Sequence, residues 1–399
     1  MRIAVLGGAA RDLVNFRGHL MSEMARAGHT VYGIAPEGTP EIQANLERLG
    51  VTYVPIDIHR TGLNPFRDLL SLFHLWSLFR RLRLDALLAY EIKAVVFGTL
   101  AAKQAGVPDR FAMITGRGTT LQGEATEFRQ RTVRRVVKAL YRLALRRCRG
   151  VLFQNEDDLA FFRTEGLLPK GMAARIVNGS GVDLDHFAPS PLPDGPATFL
   201  FVGRLLRDKG LHEYVQACRL VSGRQVAARF QILGPLDTNP NAITADQVQA
   251  WVQEGIVDYL GEMGDVRPAL AAAHVLVLPS YGEGTPRSVL EAMSMGRAVV
   301  TTDAPGCRAT VQEGCNGFLV PVRDSDALAE AIIRLAEDRD LILRLGKEGR
   351  KIAEEKYDVC HVTAEILAFM DLTPGTPRVS DRAASRPGTP HPPLPLPPI

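Results

Sequence analysis

The chain has 399 residues, 46% hydrophobic and 23% charged, with a net charge of +3; that composition is globular, fits two domains of roughly 150–200 residues, and gives no overall basic excess for nucleic acid. Five cysteines, Cys148, Cys218, Cys307, Cys315 and Cys360, are never spaced as CxxC, which argues against a disulfide framework or a zinc site and for a reducing, cytoplasmic setting. No stretch approaches the ~20 apolar residues of a membrane span, and Arg11 and Asp12 follow the short apolar start too soon for a signal peptide.

Residues 2–6 read as a first parallel strand, ended by Gly7-Gly8. Apolar spacing predicts helices over 16–27, 69–84, 93–105, 132–147 and 156–164. Between them, short apolar runs predict strands at 31–35, 51–56, 86–89, 110–114, 151–153 and 174–177. Residues 185–196 carry Pro189, Pro191, Pro193 and Pro196 and read as a linker. A second alternating series follows, with strands at 198–202, 229–233, 257–260, 275–278 and 298–301. Its helices are expected at 211–220, 245–254, 266–273, 325–337 and 341–356. The division expected is 1–184 for a first, acceptor-binding domain and 197–357 for a second, donor-binding domain. Residues 358–372 are expected as a helix that crosses back, and the Pro-rich stretch 373–399 as a disordered tail. Strands alternating with helices give an α/β class: two Rossmann-like, doubly wound parallel-sheet domains facing a cleft.

The densest chemistry lies in Pro279-Ser280-Tyr281-Gly282-Glu283-Gly284-Thr285-Pro286-Arg287 and the helix that runs on to Gly296. Thr285 is placed as an N-cap and Pro286 as the first helical residue. Glu283 then precedes a helix N-terminus and Glu291 follows it by about two turns, beside the positive end of the helix dipole where phosphates bind. Gly203-Arg204 and Lys209-Gly210 add a guanidinium fork and a point charge after another strand. On residue type alone these cations are equally well read as a solvated basic loop. Together with the glutamates they suit a diphosphate, with a carboxylate left for ribose hydroxyls.

These motifs resemble the retaining glycosyltransferases of family 4, whose fold is GT-B. The likeness runs to about residue 370 and includes the spacing of Glu283 and Glu291 and the positions of Gly306 and Asn316-Gly317. It implies that Arg204 and Lys209 contact the donor diphosphate, that Glu283 faces the donor sugar as the catalytic residue, and that Glu291 binds the ribose. Gly203, Gly284, Thr285, Pro286 and Arg287 complete the implied donor site. In the first domain, Asn15-Phe16-Arg17-Gly18, Tyr90-Glu91-Ile92-Lys93 and Ile114-Thr115-Gly116 resemble the subgroup that adds N-acetylhexosamine to polyprenyl-diphosphate-linked sugars. That implies Gly8, Asn15, Arg17, Lys93, Thr115 and Gly116 on the acceptor side. Members of the subgroup often continue with Leu-Gly-Tyr, where this chain has Arg117-Gly118-Thr119.

Residues 129–149 hold nine Lys or Arg and no acid, interleaved with Val133, Val136, Val137, Leu140, Leu143 and Leu145. This reads either as a basic amphipathic helix lying on an anionic membrane, on the inner face of the cell membrane, or as a core-facing helix with a solvated basic side. Phe73, Leu75, Trp76 and Phe79 are open to the same two readings. No metal or other cofactor is expected: Asp183 and Asp185 precede the linker instead of lying in a cleft loop, and His19, His29 and His59 lack ligand spacing. Gly7-Gly8-Ala9-Ala10 lacks GxGxxG, which disfavours a dehydrogenase. A nucleotide-sugar epimerase, a phosphorylase with pyridoxal phosphate and a non-catalytic nucleotide-sugar binder remain alternatives, as does a soluble or other lipid acceptor.

Overall fold

The computed structural model describes residues 1–57, 65–122, 128–237, 239 and 241–373. The stretch 374–399 of the expected tail, and His59, lie outside them. Seven parallel strands form the first sheet: β1 (Arg2–Leu6), β2 (Thr30–Ala35), β3 (Val51–Pro55), β4 (Ala86–Tyr90), β5 (Asp109–Ile114), β6 (Gly150–Phe153) and β7 (Ala173–Ile176), in the order β3-β2-β1-β4-β5-β6-β7. Six form the second: β8 (Ala197–Val202), β9 (Ala228–Leu233), β10 (Asp258–Tyr259), β11 (Val275–Leu278), β12 (Ala298–Thr302) and β13 (Gly317–Val320), in the order β10-β9-β8-β11-β12-β13. β4, β8 and β11 are buried along their whole length, as parallel strands covered on both faces must be. The order reverses between β1 and β4 and between β8 and β11. Loops leaving the carboxyl ends of those strands diverge there and open a crevice. They carry Gly8, Glu91, Arg204 and Glu283.

The chain passes between the domains twice. After β7, Val182 donates its N–H to the carbonyl of Tyr357 at 2.8 Å, and Val359 donates back to Val182 at 3.0 Å. The helix Val359–Phe369 then lies on the first domain, where Val362, Ile366 and Leu367 share a buried cluster with Ile3 and Val5 of β1. Between β7 and β8, the guanidinium of Arg297 holds the chain at residues 190–191. It is fully buried and donates to the carbonyls of Ser190 (2.7 Å), Pro191 (3.1 Å), Leu270 (2.8 Å) and Ala271 (3.1 Å) and to the Ser190 hydroxyl (2.5 Å).

Several elements depart from the sequence reading. The segment expected as one helix over 93–105 opens with a π-helical turn, Ala94–Gly98, before the α-helix Thr99–Ala105. A helix over Pro40–Arg48, capped by Thr39, was not anticipated. The helix Phe128–Leu145 buries Val137, Tyr141, Ala144 and Leu145, yet leaves Phe128 82% exposed and Val136 and Leu143 partly so. One face of this helix is therefore core, as one of the two readings has it, and the other is exposed, basic and partly apolar. In the helix Pro65–Leu82, Leu75 and Phe79 belong to the core, whereas Leu69, Leu70 and Phe73 are more than half exposed. The apolar rim lies one turn earlier than the sequence suggested. Among the described residues no helix is long and apolar enough to cross a membrane.

Candidate active site

The loop between β11 and the helix Arg287–Ser294 presents Glu283. Lys209 reaches it from the loop after β8 and forms an ion pair with the Glu283 carboxylate; the two side chains are 21% and 14% exposed. Lys209 ends a short 3₁₀ turn, Arg207–Lys209, followed by Gly210 at φ +75°. A Cβ at Gly210 would lie 2.1 Å from the carbonyl oxygen of Pro279, so only glycine lets this turn close beneath the end of β11. The Lys-Gly pair thus places its ammonium on the glutamate loop through a backbone fit.

The same loop is gripped from the first domain. Asn155 donates from Nδ2 to the carbonyls of Gly284 (2.7 Å) and Glu283 (3.4 Å), and the Thr285 hydroxyl donates to the carbonyl of Gln154 (3.0 Å). A Cβ at Gly284 would meet Gln154 Oε1 at 2.3 Å and the Thr115 carbonyl at 2.5 Å. On the other side, Glu283 donates its N–H to the carbonyl of Pro305 at 2.9 Å. These contacts correct the cap assignment. Pro286 is the N-cap and Thr285 is engaged across the domain boundary. With a proline cap no side chain accepts from the first turn, so its N–H groups stay available to an anion.

Asn155 also caps the helix Glu156–Thr164, accepting from the N–H of Asp158 at 2.8 Å. Asp158 is fully buried and pairs with Arg117 Nε at 2.7 Å. Burial pushes its carboxyl above the ordinary 3.8, while the Arg117 bond opposes the rise. Arg308 pairs with Asp157 at 2.9 Å and Arg11 with Glu262 at 2.5 Å, two further ion pairs between the domains. Arg117, Gln122 and Asp158 on one side and Tyr281, Gly282, Glu283 and Pro305 on the other enclose a cavity of about 150 Å³.

The other expected donor residues are each engaged within the protein. Arg204 pairs with Asp237 at 3.0 Å and keeps 41% of its side chain exposed. Arg287 donates from Nε to Glu291 at 2.7 Å and lies over the ring of Phe16, 5.3 Å from its centroid. Glu291 is 9% exposed, and burial raises its carboxyl above the ordinary 4.5 against the pull of Arg287. Gly203 leads directly from β8 and donates to the Leu233 carbonyl at 3.0 Å.

The expected acceptor residues divide. Thr115 and Gly116 touch the Glu283–Gly284 segment. Arg17 is buried beneath Tyr90, whereas Asn15, two residues earlier on the helix Ala10–Arg26, is exposed. Lys93 is not brought to Glu283; it pairs with Asp68 at 2.9 Å. Gly8 stands half-buried on the loop after β1. The sequence reading missed Gln154, Asn155, Asp158 and Tyr281. Asn155 before Glu156-Asp157-Asp158 carries an N-cap signature, which alone gives no hint of its second partner. Asp183 accepts from the N–H groups of Asp185 (3.1 Å) and His186 (2.9 Å) and so closes a turn. Among the described residues no group of three or more His, Cys, Asp or Glu side chains converges.

Comparison with known proteins agrees with this geometry. Residues 14–179 match the model of the glycosyl transferase 4-like domain, and residues 196–338 that of glycosyl transferases group 1. The chain is 29% identical over 384 residues to N,N'-diacetylbacillosaminyl-diphospho-undecaprenol alpha-1,3-N-acetylgalactosaminyltransferase of Campylobacter jejuni, covering 93% of this chain and 98% of that one. It is 26% identical over 298 residues to UDP-Gal:alpha-D-GlcNAc-diphosphoundecaprenol alpha-1,3-galactosyltransferase of Escherichia coli, covering 70% and 73%. A structure of Anabaena Alr3699/HepE in complex with UDP superposes with a TM-score of 0.72 at 18% identity, covering 93% of this chain and all of that one. The chain is a glycosyltransferase: it belongs to the group 1 glycosyl transferases with a 4-like first domain, and its fold is GT-B.

Proposed function

We propose that the chain moves a sugar, an N-acetylhexosamine in the first instance, from a UDP-sugar to a polyprenyl-diphosphate-linked sugar, with retention at the anomeric carbon and without a metal. The observation that carries this reading is the Lys209–Glu283 pair beside an uncapped helix N-terminus. The relatives from Campylobacter jejuni and Escherichia coli, both named for acceptors on diphospho-undecaprenol, support the acceptor.

Transfer passes through an oxocarbenium-like state while a nucleoside diphosphate departs, so charge developing on the diphosphate must be held. Arg204, Lys209 and the N–H groups of Thr285, Arg287 and Ser288 supply that positive field. Arrival of the diphosphate offers Lys209 a more highly charged partner than Glu283. Lys209 exchanges partners, and the freed Glu283 carboxylate turns to the donor sugar. Glu291, held by Arg287, accepts from ribose hydroxyls. Thr115, Gly116 and Arg117 bound the acceptor side. The enzyme works as a peripheral protein of the inner face of the cell membrane, through the exposed Leu69, Leu70, Phe73 and Phe128 and the cations of the Phe128–Leu145 helix.

The test is a panel of UDP- and GDP-sugars, scored by released nucleotide with and without a polyprenyl-diphosphate sugar. Release that requires both a UDP-sugar and the lipid-linked sugar is expected. Full activity on a soluble acceptor would exclude the lipid assignment, and a changed nucleotide sugar without acceptor would identify an epimerase.

A further inference from the structure

Among the described residues two arginines are almost wholly buried, and they differ in one respect. Arg297 meets five acceptors and has nothing left to offer a ligand. Arg17 is 3% exposed, yet among the described residues its sole hydrogen bond is a long one, 3.4 Å, from Nη1 to the carbonyl of its neighbour Phe16. Its Nε has no acceptor. Its guanidinium lies over the ring of Tyr90, 5.0 Å from the centroid, and among the described residues no carboxylate forms an ion pair with it. A buried guanidinium with idle donors is costly unless something negative completes it.

A second cation converges on the same place from the other domain. Phe16, adjacent in sequence, has Arg287 over its ring; burial first, and after it the positive charge of Arg287, disfavours the charged form of Arg17. Tyr90, Asp12 and Glu91 draw the other way. Arg287 is the first residue of the helix whose N-terminus faces the cleft. Like charges from opposite domains, one desolvated, mark a place completed by an anion.

We propose that Arg17 and Arg287 together form a phosphate-binding subsite that bridges the two domains and takes a diphosphate group. This deepens the nucleotide-sugar reading and rests on it. Two bound species carry that group, the nucleotide and the lipid-linked acceptor, and the test separates them. Arg287 already has Glu291, so Arg17 is the side chain whose loss reports the site cleanly.

Calorimetric titration of the full chain with UDP, and separately with a water-soluble short-prenyl diphosphate sugar, compares wild type with Arg17→Met and Arg17→Gln. The expected result is a loss of affinity of tenfold or more in one arm, which names the source. It is accompanied by a ligand-free melting midpoint no more than about 3 °C below wild type, because no ion pair is broken and only one long hydrogen bond and the contact with Tyr90 are lost. Arg17→Lys, which keeps the charge and loses the fork, should retain part of the affinity. Losses below tenfold in both arms, or a lower midpoint in both neutral variants, overturn the proposal in favour of an arginine that only supports the fold. A wild-type protein that binds neither probe defeats instead the nucleotide-sugar reading itself.

Discussion

The side-chain amide of Asn155 donates to the carbonyl of Gly284 at 2.7 Å, so the residue next to Glu283 is held by the opposite domain. Its oxygen meanwhile caps the helix that follows it. The two roles separate in Asn155→Asp, which retains the cap and loses the donor. Turnover of that variant should fall about tenfold or more, with the donor KM little changed, because Glu283 loses its seat while the donor keeps its contacts. Steady-state kinetics with a melting curve checks this; normal turnover would show that the cap was the residue's whole contribution.

Lys209 is paired with Glu283, and the proposed reaction has it exchange that partner for the diphosphate. Lys209→Ala should lower kcat by about 100-fold, the scale of losing one preorganised donor at a site of developing charge. Arg204 is more exposed and is paired with Asp237, so Arg204→Ala should also cost turnover heavily while weakening nucleotide binding more visibly. Near-normal rates in both variants would sink the donor-site assignment.

Glu291 gives a dependence on pH. Burial raises its carboxyl above 4.5 in the folded protein. Between that ordinary value and the raised one, the folded state holds more proton than the unfolded state. Its contribution to stability is therefore present below about 4.5 and is lost as pH rises through the folded value. Glu291→Gln removes this term. Melting midpoints taken from acid toward neutral pH should fall less steeply in the variant than in wild type; parallel curves would show that the Arg287 bond cancels the burial.

The exposed apolar rims flank the same 94–105 segment, since both the Pro65–Leu82 and Phe128–Leu145 helices pack against it. Binding to vesicles containing phosphatidylglycerol should exceed binding to phosphatidylcholine alone and weaken with salt. Changing Phe73 and Phe128 to Ser should reduce it further without altering donor hydrolysis in solution. Equal affinity for both vesicles would leave the cations of this face as solvated charge only.

The alternation of strands with helices was legible because parallel strands buried on both faces are continuous apolar runs, as in β8 and β11; the edge strand β13 went unread. The glutamate loop was legible because its spacing to Arg204 and Lys209 is distinctive. What escaped was non-local. Thr285-Pro286 carries every local mark of a cap, and only contact with Gln154 takes the hydroxyl away. Asn155 reads as an ordinary cap until the second domain supplies a carbonyl. Leu75 and Leu70 look alike on a helical wheel of mixed composition, and burial by neighbouring helices alone decides that one is core and the other surface.

The two passages of the chain between the domains run side by side, hydrogen-bonded at Val182, Tyr357 and Val359. A pair of straps set together acts like the pin of a door. It permits the halves to swing about one line and forbids them to slide or separate. The Asn155–Gly284 contact and the Arg308–Asp157 and Arg11–Glu262 pairs then play the part of latches, individually weak where solvent reaches them and released together. Rotation about that line would alter the spacing of Glu283 and Arg117, which face each other across the cavity, while leaving both straps intact.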